Sequence, residues 1–549
     1  MRRLLPAALG VAVLVGASAA FARLIEGTDG ADRIVGTASG DVIRGLGGND
    51  VLRGGGGPDL VDGGAGGDFI YGQDGDDRLV SDYDGAKDTV ACGRGRDLVN
   101  ADLGDVVRPD CETVVRRLSR DPYLHFDGQH ETQVEPDSLA FGSTIVVAFQ
   151  SGRLVSGGAA NIGWATSRDA GKTWRSGFLP ATTESATPPG GYDVASDPVV
   201  AYDAVHRQWL IVTLARGFGS YAILISRSAD GLRWGAPTVA ASVDRGLGLD
   251  KEWAVCDNWN GSPFRGRCYL SYLDLDTGTI VTRSSVDGGL TWAAAVFSVP
   301  RTPSAITNGA QPVVRPDGSL LVLYAVFQSS TVDGDRVLAV RSTDGGGSFS
   351  APQTVSRLFF EDPGGVRAPP LPSAEVDAGG TVYVAWADCR FREDCLSNDS
   401  VVASSADGVR WSDPVRVPID DQFSHLDHFV PGLGASPTAR GVLSVAYHTI
   451  PEGCSFAFCV GGINVGIITS ADGGRTWGTP QRLSAAPMFL EWLADTSIGR
   501  MLADYISTSW VGGRPIPVFS MAHEPDLSGS YRQAIYAGTR VGAATVGAR

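Results

Sequence analysis

Long helix-periodic stretches are scarce in this chain of 549 residues, methionine is rare at 4, and the 45 basic side chains are outnumbered by 61 acidic ones. With 72 glycines, the scarcity of helical periodicity excludes a helical bundle and points to turn-rich β structure. A formal net charge of −16 argues against nucleic acid or anionic lipid as a partner and favours cations. After the first 22 residues no apolar run approaches the roughly 20 residues of a spanning helix, so no transmembrane segment is expected once a leader is removed. None of the 8 cysteines falls in the CxxC spacing that zinc or thiol redox chemistry favours.

What is present begins with Arg2 and Arg3, a mostly apolar run from Leu4 to Val15, and small residues ending in Ala20-Phe21-Ala22. This is the tripartite form of a secretory signal peptide, with cleavage expected near Ala22; a short membrane anchor is the alternative. The cysteines form neighbouring couples, Cys92 with Cys111, Cys256 with Cys268, Cys389 with Cys395 and Cys454 with Cys459. Close pairs behind an export signal predict local disulfides and a secreted, extracellular or cell-surface protein, against free thiols or a metal site. The length is too great for one core, so two or more modules are expected.

Between Gly27 and Val80 the chain repeats every nine residues: GTDGADRIV, GTASGDVIR, GLGGNDVLR, GGGGPDLVD, GGAGGDFIY and GQDGDDRLV. Asp32, Asp41, Asp50, Asp59, Asp68 and Asp77 hold one phase, each followed by an apolar residue, Ile34, Ile43, Leu52, Val61, Ile70 or Leu79. That period marks a repeat architecture, a parallel β-roll whose branched side chains point into a thin core. Calcium takes six to eight oxygen ligands, and a glycine-rich turn lets carbonyls bend inward while one aspartate adds charge, so each turn supplies half a site. Without a cation the aspartates repel and the glycine turns carry a high ordering entropy, so folding should be coupled to metal. These units resemble the repeats-in-toxin, or hemolysin-type, calcium-binding family. Its consensus GGxGxDxUx is met in full by GGGGPDLVD and GGAGGDFIY, missed at one glycine by GLGGNDVLR, and missed further by the other three. The resemblance implies Ca2+ as the cofactor and the six aspartates as metal ligands. From Ser81 to Glu112 the pattern decays through Asp88, Asp97 and Asp105, which reads as a capping turn closed by Cys92 and Cys111. The modules are therefore drawn as signal peptide 1–22, β-roll 23–118 and linker 119–130; a disordered Gly/Asp linker is the alternative for the roll.

A second period, 57 to 65 residues, is marked by SRDAGKTW from Ser167, SADGLRW from Ser228, SVDGGLTW from Ser285, STDGGGSF from Ser342, SADGVRW from Ser405 and SADGGRTW from Ser470. Asp169, Asp230, Asp287, Asp344, Asp407 and Asp472 can accept hydrogen bonds from turn amides, the glycine takes φ > 0, and the aromatic residue tucks beneath the turn. Units of about four short strands at this spacing read as a β-propeller spanning 131–540, with a tail at 541–549. The turns resemble the Asp boxes of the sialidase (BNR-repeat) superfamily; four match S-x-D-x-G-x-x-[WF] in full, and those at Ser228 and Ser405 lack one residue. After the sixth turn, 502–507, 515–519 and 533–536 supply three further strands. Seven blades are expected, the last completed by the stretch from His130 to Val134; six is the alternative. The fold class is thus all-β.

The turn aspartates read as structural, so function is sought where first strands converge on the propeller axis. Alignment on the turns brings there Glu135-Pro136, Asp197-Pro198, Lys251-Glu252-Trp253, Gln311-Pro312, Ser373-Ala374-Glu375 and Asp504-Tyr505, a mostly acidic set. Glu135, Asp197, Glu375, Arg390 and Asp504 are the candidate binding residues; Glu252 with Tyr505 is the candidate catalytic pair, since a carboxylate beside a tyrosine could activate it. A sialidase grips a carboxylate with clustered arginines and attacks with tyrosine. The nearest approach to the family's Arg-Ile-Pro element, Arg367-Ala368-Pro369, precedes the fifth turn instead of the first, and an acidic mouth would repel an anionic sugar, so authentic sialidase activity is not expected. Arg390 and Arg500 are anion contacts or structural arginines. His425 and His428, near Asp420, Asp421 and Asp427, read as a solvated turn in preference to a metal group. The leading expectation is an extracellular, calcium-stabilised binding or surface-associated module for carbohydrate, its roll a calcium-dependent folding switch or spacer. The rival is a glycoside hydrolase or other carbohydrate-active enzyme.

Overall fold

A nine-residue period leaves two turns and two short strands in every 18 residues, and strands separated by that interval stack in parallel. The computed structural model, which describes residues 23–124, 128–301, 305–328, 334–455, 459–526 and 529–541, shows this stacking directly. The expected signal peptide lies outside the described residues. The chain divides into two units, one of residues up to Asp97 with Val106–Cys111, the other of Leu98–Asp105 with Glu112 onward.

In the first unit Leu24–Glu26, Val42–Arg44, Leu60–Asp62 and Arg78–Ser81 form one parallel stack, and Arg33–Val35, Val51–Gly56, Phe69–Asp74, Thr89–Arg94 and Val106–Val107 the other. Ile43 pairs with Val61 and Val61 with Leu79 on one side, Leu52 with Ile70 and Ile70 with Val90 on the other. Ile43, Leu52, Val61, Ile70 and Leu79 are fully buried, each contributing about 1.5–3 kcal/mol. The turns must be glycine where coils touch: a Cβ on Gly66, at φ +126°, would lie 1.8 Å from the Gly48 carbonyl oxygen. The ladder does not end at Val80. Two extra residues are absorbed, and Asp88 and Asp97 accept the amides of Asp68 and Asp77 at 2.7 and 2.8 Å, as their predecessors do one coil earlier. Cys92 is bonded to Cys111.

The second unit is a series of antiparallel meanders, here sheets 1 to 7. Their first strands are Gln133–Phe141, Val194–Asp203, Leu249–Cys256, Ala305–Val314, Ser373–Val376, Leu426–Ala435 and Ser507–Val511. Each first strand lies against the next, and the seventh lies against the first. Apolar clusters fill the spaces between sheets; Val199, Leu210, Val212, Ile223 and Leu270, for example, pack together between sheets 2 and 3. The serine–aspartate–glycine turns join third to fourth strands. At the first, Asp169 accepts the amide and hydroxyl of Thr173 at 2.8 and 2.6 Å, Ser167 accepts the Gly171 amide at 2.8 Å, and the Trp174 indole donates to the Gly171 carbonyl at 3.1 Å. Among the described residues the only helices are single 3-10 turns at Glu393–Cys395 and Leu490–Trp492.

Sheet 7 corrects one expectation. Its outer strand is Thr113–Arg117, antiparallel to Arg532–Arg540 and parallel to Leu98–Ala101; of the stretch from His130 to Val134, Gln133 and Val134 pair within sheet 1 with Ser151 and Gln150, and Thr132 reaches sheet 7 through an isolated bridge to Gln533. Asn100 anchors this group by donating to the Leu483 carbonyl at 2.9 Å and accepting the Ala485 amide at 2.6 Å. Val115, fully buried, has strands on both sides. Val115→Pro removes a ladder amide there and is expected to lower stability by about 3 kcal/mol, read as a lower thermal midpoint by tryptophan fluorescence. An unchanged midpoint would show that the outer strand is dispensable.

Candidate functional site

Five first strands carry a bulge at a matching place, with register breaks after Val134, Ser196, Asp250, Asn308 and Phe429. The bulged residues hold left-handed backbones: Glu135 at φ +52°, Asp197 at +48°, Lys251 at +50°, Gly309 at +73° and Val430 at +49°. A left-handed non-glycine residue costs about 1 kcal/mol, and such outliers gather at functional sites. Here the bulge turns three consecutive charged side chains toward one place. Gly309, not Gln311, occupies the fourth equivalent position. Gln311 instead accepts the Ala374 amide at 2.9 Å and donates to its carbonyl at 3.2 Å, tying sheet 4 to sheet 5.

A cavity of about 220 Å³ is lined by Glu135, Arg153, Asp197, Arg216, Asp250 and Arg367. Three arginines therefore balance three acids, which corrects the expectation of an acidic mouth. Gln150, fully buried, donates to Glu135 Oε2 and, at 3.1 Å, to Ser196 Oγ, which donates to Asp197 Oδ2 at 2.9 Å. Arg153 Nη1 donates to Gln150 Oε1 at 3.3 Å and to the Gly158 carbonyl at 2.8 Å, while its buried Nε has no hydrogen-bond partner. Lys251 Nζ lies 3.7 Å from Asp197 Oδ1 and 3.4 Å above the Tyr505 ring centroid. Arg367 donates to Asp504, so the arginine that precedes the fifth turn does reach this group. Burial, reinforced by Asp197 and Asp504, pushes the Glu135 carboxyl well above the usual range; burial pushes Asp250 up to about 6.

Glu252 and Tyr505 do not form an activated pair. The Tyr505 hydroxyl donates to the Pro198 carbonyl at 3.1 Å and burial raises its pKa; Glu252 is fully buried, both its oxygens lack a partner, and burial pushes its carboxyl well above the usual range. Glu375 belongs to a second cavity of about 130 Å³, with Asp137, Tyr202, Trp253 and Gln311. Burial, then the neighbouring Asp137, pushes Glu375 up to about 8, and burial pushes Asp137 to about 7. Gln150, Arg153 and Ser196 had no motif to reveal them; their signal is polar side chains on strands otherwise apolar and buried.

Arg390 is a structural arginine, bound to Asp388 and Ser356 at 2.7 and 3.1 Å, and Arg500 donates to the Leu493 carbonyl and the Tyr531 hydroxyl at 3.1 and 3.0 Å. His428 corrects the solvated-turn expectation, for it is fully buried, whereas His425 is exposed beside Glu452. His428 Nδ1 faces the Asn398 carbonyl at 3.0 Å and Nε2 faces Asp420 at 3.3 Å. With Asp399 and Asp420 it could by geometry hold a metal ion, but Arg392 at 2.6 and 2.9 Å and Arg416 at 2.9 and 2.5 Å already occupy those carboxylates. The cysteines are bonded 256–268, 389–395 and 454–459.

In the roll, Asp50, Asp59, Asp68 and Asp77 each accept with Oδ1 the amide of the aspartate 18 residues earlier, at 2.7 to 2.9 Å. Their other oxygens, with Asp41 Oδ1, are buried without a partner. Residues 26–61 and 53–82 match the RTX calcium-binding nonapeptide repeat (four copies). The chain carries RTX repeats. No curated protein matches it by sequence. Solved structures similar to it include a polysaccharide lyase of family PL25, an ulvan lyase, 12% identical with TM-score 0.44, covering 76% of this chain and 95% of that one. An α-L-arabinofuranosidase, Arb93A of Fusarium graminearum, is 14% identical with TM-score 0.43, covering 66% and 98%. The Hadza microbial sialidase Hz136 is 14% identical with TM-score 0.36, covering 74% and 65%. Among the described residues no helix is long and apolar enough to cross a membrane.

The RTX turns fit a divalent cation on their own chemistry. Orphaned carboxylate oxygens need a positive partner, and a Cβ on Gly54 would come within 2.3 Å of Asp59 Oδ2, so only glycine leaves that cradle open. Burial pushes Asp59, Asp68 and Asp77 up to about 6. Protons and calcium therefore compete: the calcium midpoint, followed by circular dichroism, is expected to weaken as the pH falls below about 6. Asp59→Asn with Asp68→Asn should weaken it at least about tenfold at pH 7.5. The His428 cluster gives a separate test. Although burial opposes it, the flanking Asp399 and Asp420 raise the His428 pKa, so its stabilisation is present below the ordinary histidine range and lost as pH rises through the folded value. The stability gap between wild type and His428→Gln should narrow from pH 6 to pH 9, and Asp420→Asn should cost about 3 kcal/mol at pH 7.

Proposed function

We propose that this is an extracellular calcium-binding protein whose second unit is a seven-bladed β-propeller that binds carbohydrate at its axis. Asp32, Asp41, Asp50, Asp59, Asp68 and Asp77 are the calcium ligands, and the RTX repeats and disulfides fit an oxidising, calcium-rich exterior. Seven first strands in sequential contact, the last against the first, support the ring. The serine–aspartate–glycine turns, similar to those of the sialidase superfamily, support its blades.

The observation that carries the carbohydrate reading is the cavity itself. Its lining combines donors (Arg153, Arg216, Arg367) and acceptors (Asp197, Asp250) with the apolar surfaces of Tyr221 and Leu214. A sugar presents hydroxyls that both donate and accept, and apolar ring faces that rest on an aromatic side chain. A glycan array probed with the full chain in calcium should show retained ligands, and Arg367→Ala should weaken binding at least about tenfold. Failure to retain any glycan, or binding indifferent to Arg367→Ala, would refute this reading.

A further inference from the structure

The hydrogen-bonded bridge between two carboxyl groups in the cavity says more than that a sugar fits. Glu135 and Asp197 come from the first strands of adjacent sheets, hold the same left-handed bulge, and line the same wall. One buried amide, Gln150, reaches Glu135 directly and Asp197 through the Ser196 hydroxyl. Gln150 is held in turn by Arg153, itself 2% exposed, with an Nε that has no protein partner. Two carboxyls fixed by a shared buried amide, Asp197 with the Lys251 ammonium 3.7 Å away and Glu135 bonded directly to that amide, are placed for opposite proton-transfer roles.

We infer that this cavity hydrolyses a glycosidic bond, with Glu135 as proton donor and Asp197 as the carboxylate that activates water. This activity rests on the carbohydrate binding proposed above. The Glu135 proton passes to the glycosidic oxygen as its bond to the anomeric carbon breaks, and the electron pair leaves with that oxygen. A water oxygen forms the new bond to the anomeric carbon and gives its proton to Asp197; Asp197 then releases that proton to solvent as solvent returns one to Glu135, so one water is consumed per bond and no other reactant is needed. A cavity of about 220 Å³ exceeds several-fold the roughly 30 Å³ of one liquid water, leaving space for a sugar ring with a water beside it. Burial, reinforced by Asp197 and Asp504, raises the Glu135 carboxyl above the usual range, which favours the protonated form that a donor needs. Tyrosine takes no part, since Tyr505 is committed to Pro198.

The test uses the full chain in calcium against aryl glycosides of neutral hexoses, pentoses and uronic acids, and against polysaccharides by reducing-end release. Wild type should turn over at least one, with a bell-shaped pH profile. Glu135→Gln and Asp197→Asn should each lower kcat at least about 100-fold while glycan binding and circular dichroism persist. Glu135→Gln should also lose the alkaline limb of the profile, whereas Glu135→Asp, which keeps a carboxyl on a shorter stem, should keep that limb at a reduced rate. Glycan binding without turnover by wild type overturns the catalytic assignment and leaves the binding reading standing; neither binding nor turnover overturns both. Turnover unchanged in Glu135→Gln or Asp197→Asn overturns the assignment of these two residues. If Glu135→Gln loses its native spectrum, Glu135→Asp decides instead, and an unaltered rate there overturns the assignment as well.

Discussion

A carboxylate withdrawn from water needs compensation in amides, hydroxyls, cations or a proton, and β-strand packing withdraws many of them here. In the RTX roll, Asp50, Asp59, Asp68 and Asp77 satisfy one oxygen with a backbone amide from the neighbouring coil and leave the other buried. At the sheet turns, Asp344 satisfies both, and the Ser348 and Ser342 hydroxyls hold it down at about 2. Around the arginine-lined cavity compensation is divided: Asp504 has Arg367, Asp197 has Ser196 and Lys251, and Glu135 has the Gln150 amide, with burial raising its carboxyl above the usual range. One physical demand, met differently in each place, yields a calcium cradle, a rigid turn and a candidate acid–base pair.

The bulges connect backbone to chemistry. A regular strand would send alternate side chains into the spaces between sheets, where Val199 and Leu214 lie. Inserting a left-handed residue at Glu135, Asp197 and Lys251 redirects those side chains, and the packed sheets on either side hold the strained backbone in place. The buried cluster of Asp399, Asp420, His428, Arg392 and Arg416 shows the contrasting case, where each carboxylate is paired with arginine and His428 within the protein.

Legibility in the sequence followed the range of the interactions. Six aspartates in phase and six serine–aspartate–glycine turns are local patterns, since each turn closes hydrogen bonds within a few residues, and they exposed the all-β character, the calcium chemistry and the spacing of the sheets. Asp88 and Asp97 were harder to see because two inserted residues broke the period, although the coil continues. The strand Thr113–Arg117 carries no mark of its distant partner, Arg532–Arg540. His428 looked exposed because its neighbours in sequence are polar, yet in space it is enclosed by Arg392, Asp399 and Asp420.

The sequence alone determined the coil of the roll, the kind of ion it suits and the recurrence of the sheets, because these depend on residue types at short, repeated separations. Only the tertiary structure decided that Gln150 and Ser196 bridge Glu135 to Asp197, that Arg367 reaches Asp504, and that Tyr505 turns its hydroxyl to Pro198. Those partners come from separate strands and loops, most of them far apart in the chain, and their meeting is set by how the sheets pack, which no local spacing encodes.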